Sequence, residues 1–396
     1  MRSALSEVAE PPASTGSTDG GIRASRARER RSRLAFLDGL RGLAAFYVMV
    51  GHARWLLWEG YSDGYKLHPE RYSTMGKIIV HLLSAFRWGH EAVIFFFVLS
   101  GFVIHLRYAA GLANGSRDRF DFWPYFVRRA RRLYPPLLAA LAVTFGLDLL
   151  GRTLRLPTAF GATSYPLINA NVGSDHSLPT LLRNLVFIMD PVYGSDGPLW
   201  SLNYEWYFYL IYPAIFVFAR RSWKLATAAL IALSALGFAP LWPRSMFWLR
   251  IVFQLMIVWW FGALLADRFA GRIRIRYATL RWLLLAPLAL AARHFGDFWH
   301  DVIVGLGFSG VIAACLAWQE SGRSLSALVR LRPLGAMSYT LYVVHFPVLV
   351  FLSGSLMRAR GGSLPDHLWW VAAGILLCSL LAWALHFVVE RPFTTR

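Results

Sequence analysis

The sequence is poor in charged residues, which make up 16% of its 396 positions, against roughly 25% in an average soluble domain. It has only two cysteines, Cys315 and Cys378. Both lie within apolar runs, where a disulfide framework is not expected. Hydrophobic residues account for 56% of the chain, and 17 residues are tryptophan. These proportions exclude an ordinary soluble domain and are typical of a protein that crosses a membrane several times.

Several motifs of soluble enzymes are missing too. The sequence has no phosphate-binding loop, no dinucleotide-binding glycine fingerprint and no Gly-x-Ser-x-Gly turn. Histidines and carboxylates do not cluster with metal-ligand spacing, so we expect no metal site and no tightly bound cofactor. The net charge of +19 would suit nucleic acid, but the basic residues lie in short loops between apolar runs, as in membrane proteins. We therefore expect membrane lipid, and not nucleic acid, as a partner.

Ten segments approach the length of about 20 mostly apolar residues that spans a bilayer core. They are residues 35–57, 88–108, 133–150, 199–219, 223–240, 247–266, 279–292, 300–318, 336–356 and 368–389. The sequence therefore predicts an all-α, polytopic bundle of about ten transmembrane helices in one domain, residues 34–396. Residues 1–33 are polar and basic and lack the apolar core of a signal peptide, so we expect a disordered cytoplasmic tail.

Lysine and arginine predict the orientation of these helices. With the N-terminus inside, the inside segments hold 27 Lys and Arg residues and the outside loops hold 11. Basic residues concentrate on the cytoplasmic side of membrane proteins. The prediction is a multi-pass protein of the cytoplasmic (inner) membrane with both termini in the cytoplasm.

The first predicted span, "LDGLRGLAAFYVMVGHARWLLW", carries Arg41 and His52. Their separation corresponds to three helical turns plus roughly 20°, so both lie on one helix face, about 16 Å apart along the axis. Ionisable residues inside membrane segments are costly and are often functional. A snorkelling anchor for Arg41 and a packing hydrogen bond for His52 are the alternatives. The shared face favours a polar passage across the bundle.

The segment "GPLWSLNYEWYFYLIYP" carries Glu205 at about the same distance from the outer end of its predicted span as His52 is from the outer end of its own. A carboxylate at this depth can orient the imidazole and stabilise the imidazolium while the histidine removes a proton from a hydroxyl. The alternative is a stabilising Glu–Arg or Glu–His pair without turnover.

The segment "YFVRRARRLYPP" places Arg128, Arg129 and Arg132 at the inner end of a predicted span. Positive-inside anchoring by itself explains such a cluster. The functional alternative is a phosphate clamp, because arginine binds phosphate bidentately and Arg129 and Arg132 share a helix face. A cytosolic ligand with several phosphates, such as a coenzyme A ester, would fit.

A late span, "MSYTLYVVHFPVLVF", places His345 near the middle of the membrane, with Ser338 on its inner side. His345 either lines the passage or is a satisfied packing histidine, and the sequence leaves both open. Ser338 and Asn203 are further candidates to line the passage. Asn203, Ser201 and Tyr204 are candidate donors to an oxyanion, without a choice among them.

Other polar positions receive no chemical role. His105 and His386 lie near inner helix ends, where snorkelling is enough, and Ser100-Gly101 predicts close helix packing. The connection 151–198 is too long for an inert linker, and we expect it to recognise an outer substrate.

Six stretches, in order, resemble the membrane acyltransferase 3 family, whose members modify sugars of lipopolysaccharide, exopolysaccharide, Nod factors and some antibiotics. They are "LDGLRGLAAFYVMVGH", "FFFVLSGFVI", "VRRARRLYPP", "LWSLNYEWYFYLIYP", "SYTLYVVHFP" and "VVERPF". The resemblance runs from about residue 34 to 394. Many relatives carry a further, C-terminal hydrolase-like domain. The present sequence ends at Arg396, shortly after the last matching motif, so the resemblance implies the stand-alone type.

The resemblance implies roles residue by residue. His52 would be the catalytic base and Arg41 essential for the same site. Arg129 and Arg132 would form the family's acyl-CoA motif, and Glu205, Ser338 and His345 match further family positions. Ile94 and Phe95 stand where many relatives have a polar or small residue, so that segment is given no catalytic role.

The predicted function is transfer of an acyl group, by family frequency acetyl, from cytoplasmic acyl-CoA to a hydroxyl of a cell-envelope or secreted glycan or glycolipid. Acyl-CoA is then a co-substrate. The alternative is a proton-coupled transporter or a glycolipid flippase, since buried Arg, His and Glu also serve proton coupling. A transporter should consume no acyl-CoA.

Overall fold

The computed structural model describes residues 33–115, 120–291 and 296–394. Within these ranges the chain forms helices joined by turns, with no strand, which confirms the all-α prediction. Apart from Arg33, the predicted tail at residues 1–33 lies outside the described residues. The longer helices are α1 (Phe36–Leu56), α2 (Gly89–Ala113), α3 (Phe122–Thr153), α4 (Trp200–Ala219), α5 (Trp223–Leu236), α6 (Phe247–Phe269), α7 (Asp297–Glu320), α8 (Ser338–Ala359) and α9 (Trp369–Leu385).

Six of the predicted spans coincide with helices in the described ranges that are long and apolar enough to cross a membrane. These are α2, α3, α6, α7, α8 and the helical segment Trp369–Phe393. Helices α1 and α4 have 21 and 20 residues and are not among these six helices; both contain ionisable and polar side chains. The chain is a multi-pass membrane protein, while the count of ten spans and the cytoplasmic location of the termini stay predictions.

The segment 279–292 does not form the α-helical span that the sequence predicts. It contains instead a 3₁₀-helix, Arg281–Ala291, with Pro287 inside it. Proline cannot donate the backbone hydrogen bond of an α-helix. Helix α7 also packs closely here, since a Cβ at Gly310 would lie only 2.7 Å from the carbonyl carbon of Leu283. Apolar content alone does not reveal this backbone contact.

The chain divides into two compact units, each built from three stretches of sequence. The first contains the described part of Met1–Leu43 together with Val93–Val127 and Tyr204–Ala336. The second contains Ala44–Ala92, Arg128–Asn203 and Met337–Arg396. Of the predicted site residues, Arg41 and Glu205 belong to the first unit. The second unit holds His52, Arg128, Arg129, Arg132, Asn203, Ser338 and His345.

In the first unit, α2 and α6 pack against each other through a glycine. A Cβ at Gly101 would collide with the carbonyl group of Trp259. The indole Nε1 of Trp259 also donates to Ser100 Oγ at 3.2 Å. The close helix packing predicted at Ser100-Gly101 is therefore confirmed.

In the second unit, α8 is the most enclosed of the membrane-length helices described, with 83% of its most apolar stretch buried. It begins at Ser338, which is 2% exposed. Two residues later, the backbone N–H and the hydroxyl of Thr340 donate to Glu390 Oε2 at 3.2 and 2.7 Å. A carboxylate is stabilising at a helix N-terminus. The terminal "VVERPF" stretch therefore caps the helix that carries His345.

Candidate active site

His52, near the C-terminal end of α1, and His345, on α8, form a hydrogen-bonded imidazole pair. Nδ1 of His52 lies 2.8 Å from Nε2 of His345, and the ring planes differ by 13°. Nδ1 of His345 lies 3.0 Å from the carbonyl oxygen of Leu341 on the same helix. His345 is fully buried, whereas His52 is partly exposed. The structure thus joins two histidines whose contact the sequence does not predict.

The hydrogen bonds of this pair determine the tautomers of both rings. A carbonyl oxygen can only accept, so Nδ1 of His345 carries its hydrogen. In neutral His345 the other nitrogen, Nε2, is then an acceptor, and Nδ1 of His52 must donate to it. Neutral His52 therefore keeps its lone pair on Nε2, which makes no hydrogen bond to a described residue of this unit. That nitrogen is placed to accept a proton.

Aromatic side chains surround the imidazole pair. Phe346 contacts His52 edge to face with ring centroids 4.9 Å apart, and the ring of Trp55 lies 6.1 Å from His52. Tyr342 lies 6.1 Å from His345. Apolar surroundings strengthen hydrogen bonds, because few water molecules compete for the same groups. The pair is therefore held rigidly as well as oriented.

Two of the candidate oxyanion donors belong to this unit. Ser201 Oγ lies 3.2 Å from the carbonyl oxygen of Pro198 and 2.8 Å from the hydroxyl of Tyr342, so it is engaged in packing the start of α4. Asn203 is 2% exposed, and its Oδ1 has no hydrogen-bond partner in the described ranges. The third candidate, Tyr204, lies in the first unit and packs against Phe97. The role of Asn203 stays a prediction.

In the first unit, Arg41 is 9% exposed and anchors the start of α1. Its Nη2 donates to the carbonyl oxygen of Gly335 and lies 3.7 Å from Asp38 Oδ1. The backbones are in close contact, since a Cβ at Gly42 would lie 2.6 Å from the backbone nitrogen of Gly335. Arginine's long, forked side chain suits such a buried carbonyl and carboxylate pair. These contacts support a positioning role for Arg41, and its predicted part in catalysis stays a prediction.

Also in the first unit, Glu205 ends a chain of hydrogen-bond donors. Trp259 donates to Ser100, Ser100 donates to the hydroxyl of Tyr209 at 3.4 Å, and Tyr209 donates to Glu205 Oε1. Because an indole N–H can only donate, the chain runs in one direction and ends at the carboxylate. Glu205 and His52 belong to different units, so their predicted pairing stays a prediction.

The arginine cluster lies within α3, which begins earlier than the predicted span, at Phe122. Arg129 and Arg132 share a helix face, as predicted from their spacing. Arg129 is 4% exposed, Arg128 and Arg132 are partly exposed, and Arg131 is exposed. Arg132 is therefore more exposed than Arg129 on this shared face. The phosphate clamp itself stays a prediction.

The connection 151–198 is folded and held to the end of α3 by Asp148. Asp148 Oδ2 lies 2.8 Å from Nε2 of His176 and accepts from the backbone N–H of Ser195 at 2.9 Å. Asp196, next in the chain, is fully buried. Burial, with the Asp148 carboxylate second, raises the pKa of Asp196 well above its ordinary value, and Thr144 offsets only part of this. The expected role of this connection in substrate recognition stays a prediction.

The family model described as an acyltransferase domain, acyltransferase 3, matches residues 34–387. This range includes all nine of the longer helices described above. The chain belongs to the acyltransferase 3 family. The resemblance stated from the ordered motifs is thereby confirmed.

Several acyltransferases and O-acetyltransferases are similar in sequence to this chain. The "Putative peptidoglycan O-acetyltransferase YrhL" of Bacillus subtilis (strain 168) is 26% identical over 364 residues, covering 82% of this chain and 54% of that protein. "Acyltransferase MdmB" of Streptomyces mycarofaciens is 26% identical over 400 residues, covering 91% of each. "O-acetyltransferase OatA" of Staphylococcus aureus (strain NCTC 8325 / PS 47) is 24% identical over 357 residues, covering 81% of this chain and 55% of that protein.

The chain therefore spans about half the length of YrhL and OatA and most of the length of MdmB. No solved structure matches it significantly.

Two side-chain contacts of this acyltransferase 3 chain are not among the predictions from its sequence. Tyr209 follows Glu205 by four residues, the spacing at which helical side chains meet, so their contact could have been predicted from the sequence. The contact between His52 and His345 could not, because it depends on how α1 and α8 are rotated about their axes.

Proposed function

We propose that this protein is a membrane O-acyltransferase that moves an acyl group, most simply acetyl, from cytoplasmic acyl-CoA to a hydroxyl group of a cell-envelope glycan. Family membership supports acyl transfer, and the similarity to the O-acetyltransferases YrhL and OatA supports an acetyl group. The name of YrhL also supports a glycan acceptor. The imidazole pair of His52 and His345 is the observation that carries the proposal, because it leaves one histidine nitrogen ready to act as a base.

In the proposed reaction, Nε2 of His52 removes the proton of the acceptor hydroxyl. The resulting oxygen nucleophile attacks the thioester carbonyl and forms a tetrahedral intermediate. The intermediate collapses, so that the C–O bond of the ester remains and the C–S bond breaks. The proton held by His52 passes to the departing CoA thiolate. One base thus serves both proton transfers, as in other acyl transfers.

His345 stabilises His52 while it holds the proton. Protonated His52 still donates from Nδ1 to Nε2 of His345. If the proton moves across this 2.8 Å contact, His345 becomes the imidazolium and donates from Nδ1 to Leu341. The positive charge is therefore shared between two rings in apolar surroundings, where a single buried charge would be costly. His345 is in this account a positioning residue.

The remaining predicted residues have supporting parts in the proposal. Arg129 and Arg132 bind the phosphates of acyl-CoA, and the energy of that remote contact positions the thioester. Glu205, which accepts a hydrogen bond from Tyr209, provides a negative charge. Arg41 maintains the start of α1, the helix that carries His52.

The test follows radiolabel from acetyl-CoA into a solubilised cell-envelope glycan fraction, with the purified protein in detergent. Wild type should label the glycan and release CoA. His52→Ala should lose transfer by about 10²- to 10⁴-fold, the usual contribution of a general base, while the exposed control His367→Ala should not. Arg132→Ala should need more acetyl-CoA for half-maximal rate, and the exposed neighbour variant Arg131→Ala should not.

Two outcomes would contradict the proposal. If wild type neither binds nor consumes any acyl-CoA, acyl transfer from this donor is wrong and the transporter alternative gains. If His52→Ala transfers label at the wild-type rate, the histidine has no part in the chemistry.

A further inference from the structure

A cluster of aromatic rings follows the end of α1 in the second unit. It consists of Tyr61, Tyr65, Tyr72 and His81, and we name it the tyrosine patch. Tyr65 is central, with its ring centroid 5.7 Å from Tyr61, 5.5 Å from Tyr72 and 5.6 Å from His81. These are contact distances for aromatic pairs. Tyr61 is 42% exposed, so the patch presents ring surface to the exterior of the unit.

A carboxylate is built into the patch. The hydroxyl of Tyr72 donates to Glu59 Oε1 at 2.6 Å. Burial, followed by this hydrogen bond, raises the pKa of Tyr72, so the phenol keeps its hydrogen. Gly64 lies directly against the pair, since a Cβ there would lie 2.5 Å from Glu59 Cγ. The backbone N–H of Glu59 donates to the carbonyl oxygen of Pro365 at 3.0 Å, which anchors the main chain from which this carboxylate extends.

The tyrosine patch is close in the chain to the proposed base. His52 lies four residues before Leu56, the last residue of α1, which is about 6 Å along the helix axis. Trp55 lies 6.1 Å from the ring of His52, and Trp58, three residues later in the chain, lies 6.4 Å from the ring of Tyr72. The patch therefore begins within a few residues of the end of the helix that carries the proposed base.

Exposed aromatic rings beside a fixed carboxylate are the chemistry of a sugar-binding surface. The C–H face of a sugar ring is apolar and packs on an aromatic ring, whose face is electron-rich. Sugar hydroxyls are donors, and a carboxylate is a pure acceptor for them. An aromatic belt at the membrane interface also uses tyrosine, but it requires no carboxylate held in place by a phenol.

We propose that the tyrosine patch binds the acceptor glycan, with sugar rings packed on Tyr61 and Tyr65 and sugar hydroxyls donating to Glu59. This inference rests on the proposed function for the identity of the ligand as a glycan acceptor. It assigns recognition of the acceptor to residues 59–81, whereas the length of the connection 151–198 had led us to expect it there.

The first experiment measures equilibrium binding of tritium-labelled, solubilised envelope-glycan fragments to the detergent-purified protein, without acyl-CoA. Tyr61→Ala and Tyr65→Ala should each weaken binding about tenfold, by loss of one ring contact. Tyr61→Phe keeps the ring and should bind within about twofold of wild type. Trp282→Ala, which removes an exposed aromatic side chain of the first unit, should have no effect.

The second experiment measures acetyl transfer over a range of glycan concentrations. Tyr61→Ala should raise the KM for glycan about tenfold and leave kcat within about twofold, because the patch binds the acceptor and does not touch the reacting atoms. A structural or membrane-interface role would instead lower kcat and the amount of folded protein together, and would leave the KM unchanged.

The outcomes separate the two proposals. Glycan binding that depends on Tyr61 without any label transfer would overturn the proposed function and support the patch. Transfer with an unchanged KM in Tyr61→Ala and Tyr65→Ala would overturn the patch and leave the proposed function standing. Absence of glycan binding by wild type would also overturn the patch.

Discussion

His105 in the first unit and His52 in the second are hydrogen-bonded in different ways. In the first unit, His105 is fully buried and both ring nitrogens are bonded, one to Tyr212 and one to Asp267, each at 2.9 Å. Arg272 in turn pairs with Asp267 at 2.8 Å. In the second unit, one of the two ring nitrogens of His52, Nδ1, is hydrogen-bonded to His345, and the other makes no hydrogen bond to a described residue of this unit.

This difference separates a structural histidine from a candidate base. A ring with both nitrogens bonded to fixed partners has no position from which to accept a proton from a substrate. The hydrogen-bond partners, and not the depth of the residue in its helix, identify His52 as the candidate. His345 is the hydrogen-bond partner that orients His52 in this comparison.

The largest effect is expected from replacing the acceptor atom that His345 presents to His52. His345→Met has a similar size but no strong acceptor, so it should lower kcat about 10- to 100-fold, as loss of an orienting partner commonly does. His345→Gln can present Oε1 near the position of Nε2 and should keep most of the activity. Acetyl transfer at saturating substrates measures both variants. Equal losses in the two would show that the acceptor atom is irrelevant.

A smaller effect is expected from the donor chain of the first unit. Glu205→Gln removes the negative charge and should lower transfer about tenfold, roughly the rate equivalent of one charge-assisted hydrogen bond. Tyr209→Phe removes only one donor and should lower it less. Initial rates of label transfer compare the two variants. Normal transfer by Glu205→Gln would remove this carboxylate from the mechanism.

Arg41 tests whether the start of α1 is held by geometry or by charge. Arg41→Lys keeps the charge but lacks the planar guanidinium, whose Nη2 donates to Gly335 and lies close to Asp38. We expect a lower Tm, with destabilisation of about 1–3 kcal/mol, and a parallel loss of activity. The measurement compares the Tm in detergent and the transfer rate of this variant with those of wild type. Lost activity at an unchanged Tm would instead make Arg41 catalytic.

The smallest effect concerns Asp196 and has a defined pH dependence. Because its pKa is raised in the folded protein, the folded state keeps a proton that the unfolded chain releases. Stability is therefore lost as pH rises above the unfolded-state pKa of about 3.9. Asp196→Asn cannot ionise, so its Tm should exceed that of wild type at pH 7 and approach it near pH 4. A Tm difference that is constant with pH would contradict this.

Apolar length predicted most of the fold but not every helix type. Nine of the ten segments form α-helices because a long apolar run has few other ways to satisfy its backbone in a membrane. The segment around Pro287 differs because a 3₁₀-helix packs against α7 there, a tertiary contact without a sequence signal.

The candidate site was only partly predictable. His52, His345 and Glu205 attract attention because ionisable groups in apolar helices are costly. The sequence shows where each lies along its helix, but not the rotation of that helix, so the partner of His52 was missed. Glu390 was noticed only as part of a motif, and the structure gives it a physical role as the cap of α8.

The central claim is that Nε2 of His52 is the base, and chemical rescue tests it most directly. Label transfer by His52→Ala would be measured with and without millimolar imidazole, beside wild type and His345→Met. The account predicts that imidazole restores part of the lost transfer in His52→Ala, because a free base can occupy the space of the missing ring, and that it leaves wild type unchanged. Full activity of His52→Ala in the absence of imidazole would contradict the account.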